Sequence, residues 1–215
     1  MRRAVSFACG LAFALCLSAA AQEQKEHVAV VEEISPGVKD VQRFDMVVAE
    51  RAIELGKDDH VVLGYLKSCW QDSVTGGRVI VESQKSRVEG GALTRRRVEC
   101  DAAGLSRMNS TGLAARGGAS LTATLPEPDL HLYGRSPVII ALRPGTLLIE
   151  RLDASSAPVR VELPASRLDL SERNIALEAG GLYRFSNAET AIVVQIDGVA
   201  ETGRAPVVGR LVIFR

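Results

Sequence analysis

The chain has 215 residues, 47% hydrophobic, 24% charged and 4% aromatic, and Lys+Arg and Asp+Glu each number 26. A formal charge of zero gives no long-range pull on phosphate, which argues against a nucleic-acid partner. The apolar content argues against a disordered chain, and the length allows one or two domains.

The first predicted element is a leader. Arg2 and Arg3 precede an apolar stretch over 4–17, and Ala19-Ala20-Ala21 supplies small residues for cleavage. That order is the layout of a secretory signal peptide over residues 1–21. A buried N-terminal helix is the alternative, opposed by the polar run Gln22-Glu23-Gln24-Lys25-Glu26. The apolar run is shorter than the roughly 20 residues a bilayer span needs. Cys9 and Cys16 are not placed as lipid anchors are, and no later segment is apolar enough to cross a bilayer. The expectation is a periplasmic or secreted mature chain without a transmembrane segment.

Loss of the leader turns the balance to −2 and removes Cys9 and Cys16, leaving Cys69 and Cys100. Two cysteines in an exported chain most simply form one disulfide. A metal pair or a reactive thiol is the rival, with no His or third Cys at zinc spacing. By loop entropy, closing a ring of about 30 residues stabilises by roughly 3–4 kcal/mol.

The strand candidates of the first half are 28–31, 51–55, 60–66, 78–82 and 97–100, where β-branched residues lie between Gly and Asp punctuation. Gly56-Lys57-Asp58-Asp59, Gly76-Gly77 and Gly90-Gly91 read as the turns between them. Residues 47–55 hold good helix formers but are read as extended. From 106 to 130, Ser, Thr, Gly and Ala dominate and predict a linker or loose loop, with one strand candidate at 120–125. The strand rhythm resumes at 138–142, 147–152, 159–163, 182–185, 191–196 and 207–214, with room for a helical turn at 166–175. The fold class is therefore all-β: two small β-sandwich or β-roll units, 25–105 and 131–215, or else one larger β domain.

The sequence carries few residues in patterns that do chemistry. His27, His60 and His131 are isolated, and His60 beside Asp59 reads as a turn residue rather than an oriented base. There is no nucleophile elbow, zinc helix, phosphate loop or dinucleotide fingerprint. Glu32-Glu33 and Asp58-Asp59 would point to opposite faces of a strand. No catalytic residue, metal ligand or cofactor is assigned, and a non-enzyme is expected. The candidate ligand contacts are Trp70 and the basic run Arg95, Arg96 and Arg97. The arginines would meet an anionic headgroup or polysaccharide, or else blunt a solvated edge strand. Trp70 would cover the disulfide or stack on a sugar. Asn109-Ser110-Thr111 fits a glycosylation sequon.

Ile53-Glu54-Leu55-Gly56, Val61-Val62-Leu63, Gly76-Gly77-Arg78-Val79-Ile80-Val81 and Ser86-Arg87-Val88-Glu89-Gly90-Gly91 together resemble a FecR-type periplasmic β domain. Leu177-Glu178-Ala179-Gly180-Gly181-Leu182-Tyr183-Arg184-Phe185 is similar to the tyrosine-bearing step of immunoglobulin-like units, with Tyr183 as a corner tyrosine. The resemblance implies a non-enzymatic envelope module. Signalling members of that family carry a membrane span and a cytoplasmic tail, neither of which this sequence shows, so contact with a sigma factor is not implied. The leading expectation is an exported binding or scaffolding module whose partner is an envelope protein or glycan. The alternatives are a cell-wall or polysaccharide hydrolase with fold-assembled carboxylates, and a structural subunit that uses a β edge.

Overall fold

The computed structural model describes residues 26–110, 125–141, 143–163, 167–202 and 205–214. The predicted leader and nearly all of the 120–125 strand candidate lie outside them. The fold is all-β, with one α-helix among the described residues.

The first sheet holds β1 (His27–Ile34), β2 (Met46–Val48), β3 (Ala52–Tyr65), β4 (Trp70–Val81), β5 (Ser86–Glu89) and β6 (Ala92–Arg97). Its order is β2-β1-β3-β4-β5, with β6 also beside β4, and every pairing is antiparallel. Three predicted turns are not turns. β3 runs straight through Gly56 to Asp59, and its register against β4 shifts between Leu55 and His60. β4 runs through Gly76-Gly77. β5 and β6 keep one register against β4 on either side of Gly90-Gly91, as Arg78↔Glu89 and Thr75↔Ala92 show. The three interruptions fall at one level and crease the sheet.

Glycine is required at that crease. Gly76, Gly77 and Gly90 all have positive φ. A Cβ on Gly77 would lie 2.4 Å from the Glu89 carbonyl oxygen, and one on Gly91 would lie 2.1 Å from that of Gly76. Across the crease the sheet folds over on itself. Ser86 pairs with Val81, nine residues along β4 from Asp72. A straight strand would hold those two levels about 30 Å apart. Instead the Ser86 N–H donates to Asp72 Oδ2 at 2.6 Å, and the Tyr65 hydroxyl meets Ser86 Oγ at 2.9 Å. The fold-over lets Ile53, Val79 and Val81 from beyond the crease share one buried cluster with Val61, Leu63 and Val74 from before it. Each such side chain contributes roughly 1.5–3 kcal/mol of burial.

A helix, α1 (Ala102–Ser110), follows, starting inside the first predicted unit and running into the predicted linker. The Asp101 carboxylate caps it by accepting from Gly104 N–H at 2.8 Å, and Leu105 and Met108 bury one face. Then come β7 (Leu130–Gly134), β8 (Val138–Ala141), β9 (Gly145–Arg151), β10 (Val159–Leu163), β11 (Arg167–Asp169), β12 (Leu182–Ser186), β13 (Ala191–Glu201) and β14 (Leu211–Phe214). They form a five-stranded sheet, β10-β9-β12-β13-β7, and a three-stranded one, β11-β8-β14. Both sheets contribute to a single apolar cluster, Ile149, Phe185 and Val194 from one and Val138, Ile139 and Val212 from the other. The predicted strand 207–214 begins as a 3-10 turn, Val207–Arg210, before β14. The helical turn predicted within 166–175 is a 3-10 turn at Leu170–Arg173, stopped by Asn174 at φ 55.

The two halves meet along β1. Ala29 and Val31 face the creased sheet's core, whereas Val30 between them joins Phe44 and Leu66 in the second cluster. Alternating strand geometry thus makes one strand the wall between two cores. Arg43 to Glu172 at 2.7 Å and Arg167 to Asp45 at 2.5 Å rim the junction.

Candidate functional site

The cysteine pair and the candidate ligand contacts, Trp70 and Arg95 to Arg97, lie on one hairpin. Its arms are β4 and the β5–β6 strand, its tip is the 82–85 loop, and its open end is the Cys69–Cys100 disulfide, with Cα atoms 5.7 Å apart. The covalent ring therefore encloses the whole hairpin. Val98 N–H donates to the Cys69 carbonyl at 2.9 Å, so the ladder continues to the staple. Cys69 adopts φ 53 as the chain turns into β4. Trp70 and Arg97 pair directly across the ladder, and the Arg97 guanidinium lies 5.6 Å from the indole centroid. Trp70 thus serves as a cation platform.

Asp72 and Arg95 are the next pair on that face. The Asp72 carboxylate is fully buried and receives a two-pronged bond from Arg95, Nε to Oδ1 at 2.6 Å and Nη2 to Oδ2 at 2.9 Å. Arg95 Nη2 also donates to the Ser86 carbonyl at 2.8 Å. Hydrogen bonding to Asp72 raises the Arg95 pKa, and burial pushes the Tyr65 phenol up. This Asp72–Arg95–Ser86–Tyr65 clasp holds the sheet folded over its crease. Arg95 is therefore engaged inside the fold, and Arg96 and Arg97 form the exposed part of the run.

The opposite face carries Gln71 and Arg96. Arg96 Nε donates to Gln71 Oε1 at 2.6 Å, and Gln71 Nε2 donates to Glu32 Oε2 at 2.6 Å. Glu32 Oε1 accepts the Val208 N–H at 3.0 Å, across the junction between the halves. Gly64 makes room for this carboxylate, since a Cβ there would sit 2.2 Å from Oε1. Burial raises the Glu32 pKa above its ordinary 4.5, outweighing the bonds from Val208 and Gln71 that favour the charged form.

Other candidates resolve into structural roles. His60 shares a 2.9 Å contact with Ser35 Oγ, while Asp59 accepts from Gly56 N–H at 3.1 Å and does not orient the imidazole. Asn109 of the sequon is buried, and its Nδ2 donates to the His27 carbonyl at 2.5 Å, so the folded chain presents no glycan acceptor there. Among the described residues no three His, Cys, Asp or Glu side chains group as metal ligands, and no helix is long and apolar enough to cross a membrane. A cleft of about 360 Å³ at the end of the second half is lined by Arg143, Thr146, Leu163, Asn187, Glu189 and Phe214 among others. Its one carboxylate, Glu189, is paired with Arg143 at 3.1 Å. Tyr183 follows the corner pattern: its hydroxyl accepts the Glu178 N–H at 2.9 Å, five residues upstream.

Sequence reasoning missed Asp72 and the fully buried pair Asp169–Arg210, and it weighed Glu32 only as half of an adjacent acidic pair. Arg210 donates from Nη1 and Nη2 to Asp169 at 2.7 and 2.9 Å, from Nη1 to the Ser136 carbonyl and from Nε to that of Ala205. Burial raises the Asp169 pKa, but bonds from Arg210 and Ser171 prevail and lower it below 3.8. The one available signal was a lone acid inside an apolar run, at Asp169 between Leu168 and Leu170. No family model, curated protein or solved structure matches this chain.

Proposed function

We propose that the chain is exported from the cytoplasm and acts as a non-catalytic binding or scaffolding module of the cell envelope. The observation that carries this reading is the stapled hairpin. A disulfide closes its base, an ionic clasp holds it folded, and its outer strand exposes Arg96 and Arg97 beside Trp70. Disulfides persist in oxidising compartments, and a surface locked by covalent and ionic ties suits recognition, because less ordering entropy is lost on binding. The resemblance of 28–100 to FecR-type periplasmic domains supports the same compartment and class.

Immobilised mature protein, challenged with envelope extract and with envelope glycan, tests the proposal. Retention of a defined partner that is lost when Arg96 and Arg97 are both changed to Gln supports it. No partner and no glycan retained under any ionic condition overturns it.

A further inference from the structure

The hairpin's outer strand is paired on one side only among the described residues: β5 and β6 both bond to β4. The bond from Val98 N–H to the Cys69 carbonyl fixes the phase of the ladder. In an antiparallel ladder, bonded and non-bonded pairs alternate. The N–H and C=O groups of Leu93, Arg95 and Arg97 therefore face away from β4. They form a row of backbone donors and acceptors at the sheet's edge, ready to template another strand.

We infer that the outer edge of β6 is a docking site for an extended, acidic segment of a partner protein, which joins the sheet as a further strand. This inference rests on the module reading above and names its partner's chemistry. Three observations select that occupant. The edge is preorganised, since the disulfide fixes one end and the Asp72–Arg95 clasp fixes the middle. Its exposed charge is positive on both faces, Arg97 on one and Arg96 on the other. Charges that merely blunt an edge are mobile and solvated, whereas Arg96 is pinned to Gln71 and Arg97 rests on Trp70. Leu93, one of the exposed large apolar side chains, adds an apolar contact on the same edge. A second copy of this chain is a poor occupant, because two β6 strands would bring both arginine runs into one short ladder. A strand with adjacent glutamates places one carboxylate on each face, opposite Arg96 and Arg97.

The test uses the mature, oxidised chain and a short peptide rich in Thr and Val with two adjacent glutamates. Its lysine counterpart and a proline-interrupted acidic version are the controls. Trp70 is the chain's single tryptophan, so its fluorescence reports binding at this site. The expected result is salt-sensitive binding of the acidic peptide alone, with amide protection gained at Leu93, Arg95 and Arg97. Leu93→Pro removes one outward N–H and should weaken binding about tenfold, as for one unmade hydrogen bond. Should that variant fail to fold, Arg96→Glu with Arg97→Glu should reverse the preference toward the lysine peptide. Equal binding of both peptides, binding indifferent to either variant, or dimerisation through this edge overturns the inference. Failure of the acidic peptide to bind, in a protein that still retains an envelope partner through another surface, overturns the inference and leaves the module reading standing.

Discussion

Of the buried carboxylates Glu32, Asp72 and Asp169, two solve the same problem differently. They are Glu32, at the junction of the halves, and Asp169, in the second half, which Arg43 of the first half also reaches at 3.4 Å. Asp169 is matched by the guanidinium of Arg210, and both side chains are 1% exposed. Glu32 accepts from neutral donors, the Val208 N–H and the Gln71 amide among them, and feels the Arg210 charge without bonding it. The consequence is opposite in sign: the Asp169 pKa is lowered and the Glu32 pKa is raised. Burial without a counter-charge pushes a carboxylate toward its neutral form, whereas a bonded guanidinium holds it ionised, and removing that partner leaves an uncompensated charge. The second half accordingly has its ion pair deep in a large apolar core. The first half also has an ion pair, Asp72–Arg95, but its arginine is only half-buried, and a staple and a glycine crease act beside it.

The largest test of this contrast is Asp169→Ala. It leaves the Arg210 charge buried and unpaired, and should cost about 3–5 kcal/mol. Thermal unfolding should then fall by roughly 10 °C or more. A change of only a degree or two would mean that the pair is dispensable.

Removing the staple comes next. Cys69→Ser with Cys100→Ser should cost about 3 kcal/mol, read by denaturant titration, because the ring it opens spans the whole hairpin. Loss confined to the first half, seen as faster amide exchange in β4 to β6 with β8 and β14 still protected, would sharpen the comparison. Uniform loss would show that the two cores unfold as one.

The crease gives a smaller and more local effect. Gly91→Ala forces a Cβ onto the Gly76 carbonyl and should cost about 2–3 kcal/mol. Gly90→Ala meets no atom within 4 Å, and its penalty is only the positive φ, about 1 kcal/mol. Equal penalties at the two sites would contradict the account of the fold-over.

The smallest effect is the pH response. Because the folded Glu32 pKa lies above 4.5, the folded state binds the proton more tightly than the unfolded one. Stability from this group therefore falls as pH rises from 4.5 through the folded pKa, and is regained on acidification. Asp169 has the other sign: its contribution is present above 3.8 and is lost as pH falls through its lower folded value. Denaturant titrations from neutral toward pH 4.5 should show wild type gaining stability relative to Glu32→Gln. A parallel pair of curves would remove Glu32 as the source.

Much of the strand content was legible because β-branched runs are local signals, and β1, β9, β10 and β12 sit where those runs predicted. The crease was not legible. A double glycine announces positive φ, but the same dihedrals serve a reversal or a kink, and only the cross-strand register decides. β7 was hidden because Leu130-His131-Leu132-Tyr133 follows a proline-bearing stretch that reads as loop. Helix α1 was hidden because its face holds just Leu105 and Met108 among small residues, although Asp101 offered a cap. Of the candidate site, the Cys69–Cys100 pair was legible, while Trp70 and the arginine run stand apart in sequence and their sharing one hairpin was not. The sequence could not show that Arg95 turns inward, since its partner Asp72 lies 23 residues away in sequence and meets it only through the ladder.

The central claim, an exported chain whose hairpin is stapled in an oxidising compartment, is tested most directly by thiol labelling. Protein recovered from the envelope fraction without reductant is denatured, treated with a thiol-specific reagent and weighed by intact mass. The account predicts a chain lacking residues 1–21, unlabelled at Cys69 and Cys100 until reductant is added. A chain that retains its leader in the cytoplasm, or one labelled at Cys69 before reduction, would contradict it.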